Sequence, residues 1–190
     1  RWRDQAHQAV QLARDSVPRG HRIAGSVAPL EDCYRPDLSP GAAARDEHRE
    51  LIEVLAEAGC DLLLCETFAN PSEGLAALEE AVGTGLEVWL SLTAGPDGSL
   101  LSPAEITRAA MRAADIGAAA VLVNCTAASA TLPLVQAVAS AGLDIPFGAD
   151  SSWLFTAALK YLVSDLKQSG DPREIAIDPL IASIGIGYKF

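Results

Sequence analysis

Residues 58–67 read Ala58-Gly-Cys-Asp-Leu-Leu-Leu-Cys-Glu-Thr67, a glycine able to stop a helix, then a nearly unbroken apolar run that ends in an acid and a hydroxyl. An apolar run without alternation marks a strand covered on both faces, and such strands belong to parallel sheets flanked by helices. The carboxylate that closes the run is costly unless it meets a cation or good hydrogen-bond donors. One short stretch thus points both to a fold class and to a place where chemistry can sit.

The same grammar repeats outward along the chain. Short runs rich in Val, Ile and Leu at Arg22–Val27, Leu62–Glu66, Val88–Thr93, Ala120–Cys125, Ile145–Gly148 and Ile181–Ile186 are expected to be six strands. Helical spacing fills the gaps between them, which is the signature of βα units around a parallel sheet. Residues 2–17 place Ala6, Ala9, Val10, Ala13 and Val17 on one face, and residues 46–58 do the same with Leu51, Ile52, Val54, Leu55 and Ala58. Ser102-Pro-Ala-Glu105 has the form of a capping box with proline at the first helical position, and Gly117 is placed to close that helix. Ser72 is a candidate cap for residues 73–82, and residues 134–141 form a last helix before Gly142. No linker composition interrupts the pattern, so residues 1–190 are read as one domain. Gly25-Ser-Val-Ala-Pro29 lacks the glycine fingerprint of a dinucleotide fold, and no GxxxxGK[ST] sequence is present.

Composition narrows the function. The chain has 190 residues, 49% of them hydrophobic and 21% charged, enough for one sizeable core. A formal net charge of -11 argues against nucleic acid and anionic membrane surfaces as partners, since both select clustered Lys and Arg. No apolar run approaches the roughly 18 residues of a membrane span, and Arg1-Trp-Arg-Asp4 does not read as a signal peptide, so a cytoplasmic protein with reduced thiols is expected. The only methionine is Met111, and residue 1 is not read as a native start.

In parallel α/β folds the site lies at the carboxyl ends of the strands. Those ends are polar here: Gly25-Ser26, Glu66-Thr67, Ser91 with Thr93, Asn124-Cys125-Thr126 and, beyond the fifth strand, Asp150-Ser151-Ser152. For Glu66, a substrate ammonium and a structural ion pair both remain open. Cys65 precedes it and, by alternation, faces the core. Cys125 is either a packed thiol or a metal ligand, and no neighbouring residue completes a zinc set. Cys33 lies in the loop Cys33-Tyr-Arg-Pro36, within reach of a strand-end site but without a specific signal. His48, flanked by Glu47 and Arg49, is expected on a solvated surface. The absence of basic residues at the strand ends disfavours a barrel enzyme acting on phosphorylated substrates.

Taken in order, Ile23-Ala-Gly-Ser-Val-Ala-Pro29, Ala58-Gly-Cys-Asp-Leu-Leu-Leu-Cys-Glu-Thr67, Val88-Trp-Leu-Ser-Leu-Thr93 and Val121-Leu-Val-Asn-Cys125 resemble the homocysteine S-methyltransferase family over residues 1–149. The resemblance implies a parallel (β/α)8 TIM barrel, about six of whose eight units are present. It implies methyl transfer to the thiol of homocysteine, giving methionine, with a zinc ion held by cysteine thiolates. By the same resemblance Cys125 matches the first zinc ligand, Glu66 the residue that binds the substrate amino group, Asn124 a support of the amino-acid pocket, and Thr67 and Ser26 further pocket residues. Homocysteine and a methyl donor are the implied partners. The donor itself is left open among S-methylmethionine, betaine and methylated corrinoid or folate.

Two departures accompany the resemblance. The first two strands of the family have no counterpart, and no cysteine follows Cys125 to supply the remaining ligands. A barrel does not close on six units, so a fragment, completion by a partner chain, or an exposed core that aggregates is expected. A catalytically inactive barrel remnant that binds a small amino acid or a partner chain is the alternative function.

Overall fold

The computed structural model describes residues 1–140 and, beyond them, the backbone of strands at 144–147, 153–161, 164–165, 176–177 and 180–188. The chain divides into two units, Arg1–Val138 and Ala139–Phe190.

The first unit alternates helix and strand: α1 (Trp2–Ser16), β1 (Ala24–Val27), α2 (Arg45–Glu57), β2 (Leu62–Phe68), α3 (Pro71–Val82), β3 (Glu87–Leu92), α4 (Pro103–Ile116), β4 (Ala120–Val123) and α5 (Ala128–Ser140). A short 3-10 helix, Gly41–Ala44, leads into α2. All four strands are parallel and lie in the order β1-β2-β3-β4, each beside its neighbour in sequence. Register places Val27, Cys65, Leu90 and Val121 in one row across the sheet. Because side chains alternate along a strand, that row shares a face with Leu63, Val88 and Leu92. Against it pack Ile52 and Leu55 of α2, Ala77, Leu78 and Ala81 of α3, and Ile106, Ala109 and Ala113 of α4, forming the core. The opposite row, Ser26, Leu64, Trp89 and Ala120, is less covered, and Leu122 on that face is 37% exposed. Both-face coverage, expected from the unbroken apolar runs, therefore holds on the helical side and only in part on the other.

Helix ends follow local chemistry. Ser102 Oγ accepts from Glu105 N while Glu105 Oε2 accepts from Ser102 N, at 3.4 and 2.8 Å, and Pro103 opens α4. Gly117 closes it at φ 114, a left-handed conformation that glycine adopts without strain. The cap of α3 is Asn70 rather than Ser72: Asn70 Oδ1 accepts from Ser72 N and Glu73 N, and Ser72 lies inside the first turn behind Pro71. The last helix starts at Ala128, earlier than expected, and carries Pro133 within it, where the missing N–H forgoes one intrahelical bond. Gly74 brings α3 onto β2, since a Cβ there would stand 3.0 Å from Phe68.

Expectation and structure part at His48. It is fully buried, not solvated, and meets the buried Glu73 of α3. The reason lies in the helix itself, because positions 48, 52 and 55 fall on the same inner face of α2.

The second unit contains β5 (Asp144–Phe147), β6 (Trp153–Tyr161), β7 (Ser164–Asp165), β8 (Ala176–Ile177) and β9 (Leu180–Tyr188). Strands β5, β6 and β9 pair antiparallel in that order, and β7 pairs antiparallel with β8. The fifth and sixth expected strands thus exist, in β5 and β9, but not in the parallel sheet. Four βα strands, not six, lie in that sheet among the described residues. An apolar run identifies a strand, whereas the direction of its partner depends on the connection, and antiparallel partners need no crossover helix. Strands β6, β7 and β8 have no counterpart among the six expected. Gly142, Gly148 and the segment Asp150-Ser151-Ser152 lie outside the described residues.

Candidate functional site

The carboxyl ends of β2 and β4 are built from strained backbone. Thr67 at φ 66 and Cys125 at φ 49 are the two non-glycine residues with positive φ among the described residues. For a β-branched residue such as Thr67 this conformation is a genuine outlier that the surroundings must enforce. The pairing of β2 with β3 shifts register between Cys65 and Phe68, which turns Thr67 out of the ladder. Asn124 Nδ2 donates to Thr67 Oγ1 at 2.8 Å, and Thr67 Oγ1 lies 3.9 Å from Cys125 Sγ. Behind them, Thr93 Oγ1 donates to the Cys125 carbonyl at 3.1 Å, Asn124 N to the Leu92 carbonyl at 3.0 Å, and Ala94 N to Thr126 Oγ1 at 3.0 Å. Residues 124–126 are thereby fastened to the end of β3, and the Cys125 thiol is left exposed.

Glu66 sits one residue before Thr67, on the less covered face of the sheet. Its Oε1 accepts from Ser26 Oγ at 2.5 Å, and among the described residues no Lys, Arg or His pairs with it. The structural ion pair left open for this carboxylate is therefore not made in this unit. A cleft of about 420 Å3 has Glu66, Thr67 and Cys125 on its sheet side and Glu31, Cys33 and Tyr34 on its loop side. A larger groove of about 540 Å3, lined by Leu75, Arg108 and Met111, lies between α3 and α4 and holds none of the strand-end residues.

Of the five residues singled out by sequence, Glu66, Thr67 and Cys125 line the cleft, while Ser26 and Asn124 reach it through hydrogen bonds to Glu66 and Thr67 respectively. Asn124 Oδ1 is buried and has no hydrogen-bond partner among the described residues. A buried acceptor left unpaired costs about 1–3 kcal/mol, so a ligand donor reaching it would be bound with gain. Ser91, also at a strand end, is buried with its hydroxyl likewise unpartnered.

On the loop side Cys33, expected within reach of a strand-end site, does line the cleft, whereas Glu31 and Tyr34 beside it were not singled out by the sequence. Cys33 carried no specific sequence signal and Tyr34 none at all, beyond their place in the loop that follows β1. Burial raises the Cys33 thiol above its ordinary range, and the neighbouring charges of Asp32 and Cys125 add to this. The Tyr34 phenol is raised in the same way, first by desolvation and then by Cys125 and Cys33. Cys65, fully buried among apolar neighbours, is pushed up to about 12 by desolvation alone and is a core thiol, as its place in the alternation requires.

The donor set for a metal is incomplete in this unit. Among the described residues no group of three or more His, Cys, Asp or Glu side chains is arranged to hold an ion. Nor is any helix among them long and apolar enough to cross a membrane.

The homocysteine S-methyltransferase family matches residues 1–163. The apo form of the homocysteine methyltransferase MmuM from Escherichia coli is similar in structure, with a TM-score of 0.60 and 27% sequence identity over 74% of this chain and 56% of that one. The metallated form of the same protein aligns at a TM-score of 0.42 and 18% identity, over 73% of this chain and 70% of that one. No curated protein matches the sequence. The chain spans little more than half the length of the apo structure it resembles. The four parallel βα units are those of a partial (β/α) barrel.

Proposed function

The chain belongs to the homocysteine S-methyltransferase family, and we propose that its cleft is the amino-acid half of a methyl-transfer site, in which the thiol of homocysteine receives a methyl group to give methionine. The observation that carries the reading is Glu66, a carboxylate with no cationic partner among the described residues, in the same cleft as Cys125. A substrate ammonium supplies the missing countercharge, in a partly desolvated setting where a charge-assisted hydrogen bond is worth about 1.5–3 kcal/mol. Ser26 donates to the Glu66 carboxylate, and the Oδ1 of Asn124 offers an unpaired acceptor on the residue bonded to Thr67. With the ammonium held at Glu66, the chain of homocysteine is free to point its sulfur toward Thr67 and Cys125. Holding that sulfur in one direction is an orientation effect on the displacement at the donor methyl group.

A free alkyl thiol titrates near 8.5, so only a few per cent is the nucleophilic thiolate at neutral pH. The zinc ion implied by the family supplies that deprotonation when bound. Cys125 is its expected ligand, but the described residues do not complete the set. The methyl donor, a cytoplasmic location and a place in methionine biosynthesis belong to the same proposal.

One observation favours the second reading, a barrel remnant that binds a small amino acid or a partner chain without turnover: the metal donor set stays incomplete among the described residues. Calorimetry with homocysteine on the wild type and on Glu66→Gln tests the shared premise. The affinity is expected to fall by about tenfold to a hundredfold in the variant, and equal heats in both proteins refute the cleft assignment. Methyl transfer by this chain, assayed with S-methylmethionine or betaine as donor, separates turnover from binding alone.

A further inference from the structure

Glu73 is fully buried in the first turn of α3, directly downstream of β2, the strand that carries Glu66 and Thr67. Its Oε1 accepts from Leu30 N at 2.8 Å and from His48 Nε2 at 3.1 Å, and its Oε2 accepts from Ser39 Oγ. Three residues earlier, at the cap of α3, Asn70 Nδ2 donates to the Pro36 carbonyl at 3.4 Å. The N-terminus of α3 therefore grips the loop after β1 at residues 30, 36 and 39. Between those points the loop presents Glu31, Cys33 and Tyr34 to the cleft. The order serine, carboxylate, imidazole rules out a nucleophilic triad, because the hydroxyl meets the acid and not the ring. A buried carboxylate is kept in a protein interior only when its acceptors are filled, and here most of the donors come from the loop and not from the sheet.

We propose that Glu73 is a positioning residue of the cleft: its buried carboxylate holds the loop side, Glu31, Cys33 and Tyr34, opposite Glu66 and Cys125. This rests on the reading of the cleft as an amino-acid site, and deepens it by naming what sets the distance between its two sides. His48 is the third support, holding the same carboxylate from α2, so that loop, α2 and α3 converge on one group.

The test compares Glu73→Gln, Ser39→Ala and Ser39→Thr with the wild type. Cys33 and Cys125 are alkylated with iodoacetamide in the folded protein and their rates followed separately by peptide mass spectrometry. Cys125, on the sheet side, is the internal reference. Glu73→Gln is expected to raise the Cys33 rate about tenfold relative to Cys125 and to weaken homocysteine binding by a similar factor. Ser39→Ala gives a smaller change of the same sign, and Ser39→Thr, which keeps the hydroxyl, restores the wild-type ratio. If Glu73→Gln does not fold, the serine pair decides. A wild-type Cys33 to Cys125 ratio in folded Glu73→Gln or in Ser39→Ala overturns the proposal. If the ratio responds while the wild type binds no homocysteine, the positioning role stands and the amino-acid reading of the cleft falls.

Discussion

The hydrogen bond between Asn124 and Thr67 joins two strand ends whose backbone is held in a left-handed conformation, and its energy can be measured by a double-mutant cycle of Thr67→Val and Asn124→Ala. Valine keeps the shape and the β-branch of threonine, so the strain at φ 66 is unchanged and only the Oγ1 acceptor, 2.8 Å from Asn124 Nδ2, is lost. Asn124 is then left with both ends of its amide unpaired, since its Oδ1 already lacks a partner. Stranding this part-buried donor costs up to about 1–3 kcal/mol, so Thr67→Val alone is expected to destabilise the first unit by about 1 kcal/mol or more. Asn124→Ala removes the bond but also the unpaired oxygen, and its cost is smaller. In the double variant no donor is stranded, so the effects are sub-additive, with a coupling of about 1–2 kcal/mol, inside the range measured for residues in direct contact. Urea denaturation followed by the helical signal at far-ultraviolet wavelengths reads the first unit, where α1 to α5 lie almost entirely. Additivity within about 0.5 kcal/mol would refute the claim that this bond fastens the two strand ends.

Other consequences are simpler to check. Ser102→Ala removes the cap of α4 and is expected to cost about 1 kcal/mol of stability, seen as a lower melting temperature. Alkylation of the native protein is expected to modify Cys125 first, Cys33 more slowly, and Cys60 and Cys65 only on unfolding, because the last two are buried and burial raises both thiols. Glu80 is held below the usual carboxylate range by the Arg49 guanidinium first and Arg45 second, across the α2–α3 contact. Its folded pKa is depressed, so its stabilisation is fully present above the ordinary value of about 4.3 and is lost as the pH falls through the folded value. The stability gap between wild type and Glu80→Gln is therefore expected to close on acidification, and a gap that stays constant from neutral pH to strongly acid pH contradicts the ion-pair assignment.

Much of the site was legible because strand ends can be read from local pattern. The apolar run before Glu66 and the run before Asn124-Cys125 each end on polar residues, and in a parallel sheet such ends share one side. That reasoning brought Glu66, Thr67 and Cys125 together, and the structure places them in one cleft. It did not reach Tyr34, because a loop residue is positioned by what grips the loop, and the grip is Glu73, far away in sequence. His48 could have been recognised. Its spacing to Ile52 and Leu55 put it on the inner face of α2, and the charged neighbours Glu47 and Arg49 drew attention away from that periodicity.

What the sequence by itself determined is local: the alternation of five helices with four strands in the first unit, the capping box at Ser102, the glycine stop at Gly117, and the family to which their order belongs. These follow from periodicity and from side chains bonding to their own neighbouring backbone, over spans of a few residues. Tertiary structure alone decided the antiparallel pairing of β5, β6 and β9, the left-handed turn at Thr67 and Cys125, and the burial of Glu73 against the loop after β1. Each of these depends on partners tens of residues away, whose hydrogen bonds override local preference only once the chain has brought them into contact.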